Sequence, residues 1–264
     1  LGSRGNAQAQ IDLIAQAWSV LSGAGSEPRQ RIAMASMDQR LVDPALGLVK
    51  LLDPPLADAV PNAGYIQAYP KGVRENGGQY NHGAVWALMA QAELSGRIRR
   101  PAAEIDLAYR YFTYLSPAHR ANHPVYGEVY GIEPYVMAGD VYTQPPYAGR
   151  GGWSWYTGSA AWMHRAAVES IFGLQVRAGQ LTLEPCLPSH WPRAELRLRR
   201  DDRTLRLVLV RGALEAAREA EALGSVPLLA PGHALSWDGL APDSCYVVPL
   251  PALVPETQAA PMPT

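Results

Sequence analysis

YPKGVRENGGQYNHGAVW, residues Tyr69 to Trp86, joins a turn marked by Pro70 and Gly72 to an apolar helical run. Arg74, Glu75 and Asn76 stand directly before Gly77 and Gly78, and Gln79, Tyr80, Asn81 and His82 lead into the helix. Glycine adopts backbone angles closed to other residues and lets a ligand come close to the main chain. A Gly pair flanked by Arg, Glu, Asn, Gln and His therefore points to a site. The plainer reading is a polar loop at a helix entrance, where turn residues gather in any case.

The chain around this stretch has 264 residues, 48% of them hydrophobic, enough for one large domain or a large and a small one. A formal charge of -1 and the lack of a long Lys/Arg run argue against nucleic acid or an anionic membrane surface as a partner. No apolar run has the length of a membrane span, and LGSRGNAQAQ lacks the charged start and apolar stretch of a signal peptide. Cys186 and Cys245 are far apart and outside any CxxC spacing, which indicates neither a zinc site nor a disulfide framework. The expected setting is a reducing, cytoplasmic one. The start without methionine reads as the later part of a longer protein, one that is itself soluble or membrane-anchored.

Upstream of the central stretch, Ile11, Ile14, Ala17, Trp18 and Leu21 recur at helical steps, and Ser22-Gly23 is a stop. A second helix is expected from residue 27 or 28 to 41, with Pro28 in its first turn and Ile32, Ala33, Met37 and Leu41 on one face. Residues 43–69 are proline-interrupted and too long for a simple connector. Downstream, helices are expected over 82–94, with Val85, Leu88, Met89 and Ala92 buried, over 101–115, and over 158–172. A second long loop, 118–152, lies between the last two. After Gly173 the period changes from 3.6 to 2: Leu181-Thr-Leu-Glu, Leu196-Arg-Leu-Arg and Leu205-Arg-Leu-Val-Leu-Val read as half-buried strands. Residues 213–223 are helical by propensity, and 226–230, 234–237 and 246–250 read as further strands. The expected fold is mainly α with a smaller all-β part. It divides into a helical region over 1–175, an antiparallel β module over 176–250, and a disordered Pro/Ala-rich tail over 251–264.

The second loop holds Glu133-Pro-Tyr135, Asp140, Tyr142 and Gln144, followed by RGGWSWYTGSAAW over residues 150–162. Trp153, Trp155 and Trp162 beside carboxylates, tyrosines and amides suit a carbohydrate, because flat rings stack on pyranose faces while polar groups bond to hydroxyls. Each Trp is equally well read as a core anchor. Thr157 stands where an N-cap belongs, so its hydroxyl and the free N–H groups of the following turn make a ready anion site. Most Thr N-caps are structural, and His82 adds to this one only if the two helix entrances face one another.

YPKGVRENGGQYNHGAVW, EPYVMAGDVYTQPPYAGRGGW and SWYTGSAAWMHRAAVESIFGL, followed by LEPCLPSHWP, resemble the glycoside phosphorylases of glycoside hydrolase family 94. Within that family the resemblance is strongest to the C-terminal phosphorylase-like region of cyclic β-1,2-glucan synthases. It runs from about Leu1 to the strands after Trp191 and fades beyond about Arg211. It implies the C-terminal half of an α/α six-hairpin toroid, followed by β structure. It also implies a hexosyltransferase chemistry in which inorganic phosphate, as co-substrate and with no cofactor or metal, breaks a β-glucosidic bond of a glucan or gluco-oligosaccharide, here β-1,2-linked.

By position, the resemblance places His82, Thr157 and Gly158 on phosphate-holding residues, and Arg74 and Glu75 on residues that contact the sugar on the leaving-group side. Gly139 stands where cellobiose-type members have an amide. The family's proton donor is an aspartate in an upstream motif. Asp12, Asp38, Asp43, Asp53 and Asp58 precede Gly77 outside that context, so no catalytic acid is assigned in this chain, and the upstream half of the polypeptide becomes a partner. Two other readings stand beside this one: an inverting hydrolase using Glu75 with Asp140 or Glu133, and a noncatalytic carbohydrate-binding fragment.

Overall fold

The computed structural model describes residues 2–96 and 102–252. These fall into two compact units, one comprising residues up to Leu94 with Ala108–Ala166, the other Ser95–Leu107 with residues from Ala167 on.

In the first unit Asp12 is extended (φ -125°, ψ 131°) and its carboxylate accepts the Ala15 N–H at 3.1 Å, so the first helix runs over Leu13–Leu21. Ile11, expected inside that helix, instead pairs with Asp53, and Asp12 with Leu52, in a two-residue antiparallel contact. The correction follows from the cap, which requires extended backbone where the helical period alone would continue. The second helix is Glu27–Leu41 with Pro28 in its first turn, as expected. Its buried face is Gln30, Met34, Met37 and Leu41, whereas Ile32 is 59% exposed. Gln30 explains this rotation: its amide donates to Ser19 O at 3.1 Å and Gly25 O at 2.9 Å, which ties the second helix to the end of the first.

The proline-interrupted segment after Leu41 packs rather than wanders. Val42–Asp43 pairs with Leu48–Val49, and Ala9, Leu52 and Leu56 form a small core with Ile66 against it. The next helix, Asn81–Gly96, is enclosed around its circumference at Ala84, Val85, Ala87, Leu88 and Ala90 rather than along one stripe, the pattern of an internal helix. A helix over Ala102–Leu115 follows; Pro101, its expected first residue, lies outside the described residues. The helix expected over 158–172 is two pieces. It is α over Thr157–Arg165 and π over Ala166–Ile171, where the Phe172 N–H reaches Ala167 O at 3.0 Å in an i→i+5 bond.

In the second unit, Leu174–Arg177 and Gln180–Leu183 form a hairpin whose two-residue turn, Ala178-Gly179, has positive φ at both positions, the form that matches strand twist. Arg193–Arg200, Arg203–Arg211 and Asp243–Leu250 make a second sheet with Arg203–Arg211 in the centre. Val208, Val210 and Val247 pack under Ala216 and Ala220 of the Ala213–Ala222 helix, while Leu205, Leu207 and Leu209 are buried on the opposite face.

The expectation of an antiparallel module needs one correction here. Asp243–Leu250 runs parallel to Arg203–Arg211, in register from Thr204 with Asp243 to Arg211 with Leu250. A parallel return needs a crossover of a dozen or more residues, and the Ala213–Ala222 helix lies within it. The other strand pairings of the unit are antiparallel, and an isolated bridge of Leu228 with Val247 is parallel. The strands expected over 226–230 and 234–237 shrink to a single bridge at Leu228 and a two-residue strand, Leu235–Ser236. Pro227 and Pro231, which lack an N–H, interrupt the ladder there. Of the tail expected over 251–264, residues 253–264 lie outside the described residues.

Leu209 is fully enclosed in the central strand, so Leu209→Ala should cost roughly 2–5 kcal/mol of unfolding free energy through lost burial and a residual cavity. Leu214→Ala, on a residue 59% exposed, should stay within about 0.5 kcal/mol. Urea unfolding followed by circular dichroism of both variants checks the difference.

Candidate functional site

The site residues of the first unit are positioned by a short antiparallel pairing in which Gln79 faces Val141 and Tyr80 faces Asp140. Around it the polar residues divide into two kinds. Asn76, Gln79 and Asn81 are buried and fully occupied by the scaffold. Asn76 accepts the Leu56 N–H at 2.7 Å and donates to Leu56 O and Tyr69 O. Gln79 accepts the Val49 N–H and donates to Asn81, whose own amide donates to Ala138 O at 2.7 Å. These amides, part of what makes the stretch look like a site in the sequence, hold loops together.

Arg74, Glu75, His82 and Trp86 are different. Arg74 Nε, Glu75 Oε2, His82 Nδ1 and Trp86 Nε1 are enclosed atoms that make no hydrogen bond among the described residues. Arg74 sits in a tight turn closed by Asn76 N–H to Val73 O at 3.0 Å and Gly78 N–H to Arg74 O at 3.0 Å. Its φ is +48°, left-handed, where residues with a Cβ are uncommon. Gly78 permits this turn, since a methyl group there would come within 2.7 Å of Arg74 O. The Arg74 guanidinium lies 5.6 Å from the centres of both the Tyr69 and the Trp153 rings, and Nε is 3.6 Å from Glu75 Oε2.

The entrance of the Asn81–Gly96 helix meets that of the Thr157–Arg165 helix. A methyl group on Gly158 would lie 2.6 Å from His82 Cε1 and 2.7 Å from Nε2, closer than a Cβ normally stands to any atom, so only glycine admits the imidazole here. Thr157 is not the N-cap: that position is Tyr156 (φ -86°, ψ 93°), and Thr157 is the first helical residue. The reason is the main chain, because Ala160 N–H bonds to Tyr156 O at 3.1 Å and opens the ladder one residue earlier. The amides of Thr157, Gly158 and Ser159 thus precede the ladder.

Tyr80 stacks on His82 at 5.9 Å between ring centres and reaches the Tyr156 hydroxyl at 3.4 Å, and Tyr156 meets His82 edge-on at 5.4 Å. Burial lowers the His82 pKa below that of an ordinary histidine, favouring the neutral ring, and burial with the Tyr156 contact pushes the Tyr80 phenol up. A neutral imidazole, three leading amides and an arginine on the adjoining loop form an arrangement chemically suited to an oxyanion beside a polar organic ligand.

Two of the tryptophans are not core anchors: Trp153 is 68% and Trp155 69% exposed. Trp162 is half-buried, edge-on to Trp86 at 5.6 Å, with the Arg165 guanidinium 4.5 Å over its ring. Glu133 and Tyr135 are exposed, Tyr135 edge-on to Trp155. Asp140 is 2% exposed and its carboxylate is engaged by the main chain: Oδ2 accepts the Arg74 N–H at 2.8 Å. Burial raises its pKa, against that amide and the charge of Arg74. Sequence reasoning misses Tyr80, Tyr156 and this use of Asp140, because each depends on partners more than sixty residues away. Among the described residues no three His, Cys, Asp or Glu side chains gather as a metal-binding group, and no helix is long and apolar enough to cross a membrane.

Residues 1–173 match the model of the glycosyl hydrolase 94 superfamily, catalytic domain, and residues 174–234 that of the glycosyl hydrolase family 65, C-terminal domain. Cyclic beta-(1,2)-glucan synthase NdvB of Rhizobium meliloti (strain 1021) is 46% identical over 211 residues, covering 80% of this chain and 7% of the synthase. Solabiose phosphorylase of Paenibacillus borealis is 28% identical over 75% of this chain and 24% of its own length. For N,N'-diacetylchitobiose phosphorylase of Vibrio proteolyticus the figures are 28%, 74% and 23%. The chain therefore spans less than a quarter of the length of these relatives. On the match over residues 1–173 and the identity to the synthase, the chain belongs to the glycosyl hydrolase 94 superfamily, with a glycoside-phosphorylase-type catalytic domain followed by a family 65-type C-terminal domain.

Proposed function

We propose that this chain is the C-terminal portion of an inverting β-glucan phosphorylase-type domain, acting on β-1,2-linked glucan. In this reading residues 1–175 are the later half of an α/α six-hairpin toroid and residues 176–250 its β module. The general acid is an aspartate of the upstream half. The observation that carries the reading is the contact of the His82 imidazole with Gly158 at a helix start, in a chain 46% identical to a cyclic β-1,2-glucan synthase. His82, Thr157 and Gly158 hold phosphate, and Arg74 and Glu75 contact the sugar on the leaving-group side. A phosphate oxygen attacks the anomeric carbon as the glycosidic C–O bond breaks, and the departing oxygen takes the proton of the upstream acid. Helix amides and a hydrogen-bonding imidazole then offset the negative charge of the nucleophile at the distance of attack. The hydrolase alternative pairs Glu75 with Asp140 or Glu133; the engagement of Asp140 with the Arg74 N–H opposes its use there, and Glu133 is exposed.

The longer parent protein should release an α-configured sugar 1-phosphate from β-1,2-gluco-oligosaccharides only when inorganic phosphate is present. Proton NMR of the products reads both the phosphate requirement and the anomeric configuration. Turnover at full rate without phosphate would identify a hydrolase instead.

Anion binding can be measured apart from catalysis. Without an anion the His82 ring should titrate below the ordinary histidine range, since burial depresses it, and added sulfate should move its midpoint upward. Protonation and anion binding then favour one another, so sulfate affinity rises as pH falls through the His82 midpoint. Thr157→Val should weaken binding by about 1.5–3 kcal/mol if its hydroxyl bonds the anion. Gly158→Ala, which displaces the imidazole, should weaken it while circular dichroism stays unchanged. A His82 midpoint that sulfate leaves unmoved would count against the shared site.

A further inference from the structure

Asp140 takes no part in the chemistry proposed above, yet it is a carboxylate 2% exposed at the centre of the site. A buried carboxylate is costly unless a donor or a cation offsets it. Here the main-chain N–H of Arg74 donates to Oδ2 at 2.8 Å, and the charge of Arg74 stands nearby. The Arg74 guanidinium in turn lies 5.6 Å from the Trp153 ring on the outside of the turn. The carboxylate thus anchors the backbone that presents the cation.

Two further observations show that the local structure is built around this clamp. Arg74 has φ +48°, a conformation unfavourable for a residue with a long side chain, and its N–H points to Asp140 in that conformation. At the other loop, a methyl group on Gly152 would overlap Asp140 Oδ1, so the glycine leaves room for the carboxylate. The neighbouring Gly139 N–H donates to Trp153 O at 2.6 Å, which holds the same strand edge against the Trp153 loop.

We propose that Asp140 is a positioning residue: it locks Arg74 in the left-handed conformation and sets its guanidinium between Tyr69 and Trp153, so that Arg74, with Glu75 beside it, meets the sugar in one fixed place. The sugar contact rests on the reading under "Proposed function"; the locking of Arg74 does not. Asp140→Asn keeps the size of the side chain but replaces the charged acceptor of the Arg74 N–H by a neutral amide, which weakens that bond. The hold on Arg74 loosens, the loop relaxes, and the phosphate-holding residues at the two helix entrances are left as they are.

The test uses the parent protein with Asp140→Asn, Arg74→Ala and both together. Hydrogen exchange of the Arg74 amide should quicken in Asp140→Asn by about ten-fold or more, the value of one hydrogen bond to a charged acceptor. In phosphorolysis the KM for the gluco-oligosaccharide should rise by a similar factor, with the KM for phosphate changed by less than about two-fold. In the Arg74→Ala background, Asp140→Asn should have little further effect on the sugar KM, because its influence passes through the Arg74 side chain. Unchanged Arg74 exchange overturns the proposal whatever the kinetics. Equal increases in both KM values, or full additivity of the two substitutions, overturn it in favour of a purely structural carboxylate. A wild-type parent inert with phosphate defeats the phosphorylase reading instead, and the exchange measurement then decides the locking of Arg74 by itself.

Discussion

The pairing of Gln79–Tyr80 with Asp140–Val141 is only two residues long, yet the candidate site depends on it. It brings the loop before one helix against the loop before another, and a series of bonds extends the junction on both sides. Asn81 N–H donates to Gly139 O at 2.9 Å, Thr143 Oγ1 to Gly77 O at 2.7 Å, and Arg74 N–H to Asp140. Isolated two-residue strands have little stability of their own. This one persists because buried amides finish the hydrogen bonding around it: Asn76, Gln79 and Asn81 satisfy main-chain groups that the short ladder leaves open.

That division of labour explains why the groups of the candidate site are left with unmet capacity. Scaffold side chains with every polar atom paired make the loops rigid, and rigid loops can hold Arg74, Glu75 and His82 in place without consuming their donors and acceptors. Glycine supports the same end from the other direction. Gly78 lets the Arg74 turn close, Gly152 admits the Asp140 carboxylate, and Gly158 admits the His82 ring, each at a separation where a Cβ would collide. The strained φ of Arg74 is offset within this framework rather than relieved by it.

Electrostatically the site is asymmetric. The helix entrances present amides and an imidazole whose burial disfavours a proton. The Arg74 loop presents a permanent cation flanked by Glu75 and by two aromatic rings. Tyr80, stacked on His82 and bonded to Tyr156, stands between the two regions. An anion with three acceptor oxygens suits the first region, and a neutral ligand with hydroxyls and an apolar face suits the second.

The sequence by itself determined what depends on neighbours a few residues apart. The Glu27–Leu41 helix follows from its spacing and from Pro28, and the central Arg203–Arg211 strand from strict alternation. The long motifs around Gly77-Gly78 and Thr157-Gly158 determined the family. Only the tertiary structure decided what depends on residues far apart. Gln30 turned the second helix so that Ile32 faces solvent, and main-chain geometry moved the cap from Thr157 to Tyr156. The last strand came in parallel to its neighbour, because a period of two is the same for either direction of pairing. For Asp140 no local pattern exists at all. Its role is set by the amide of Arg74, which a contact across the fold brings to its carboxylate and which no spacing in the chain encodes.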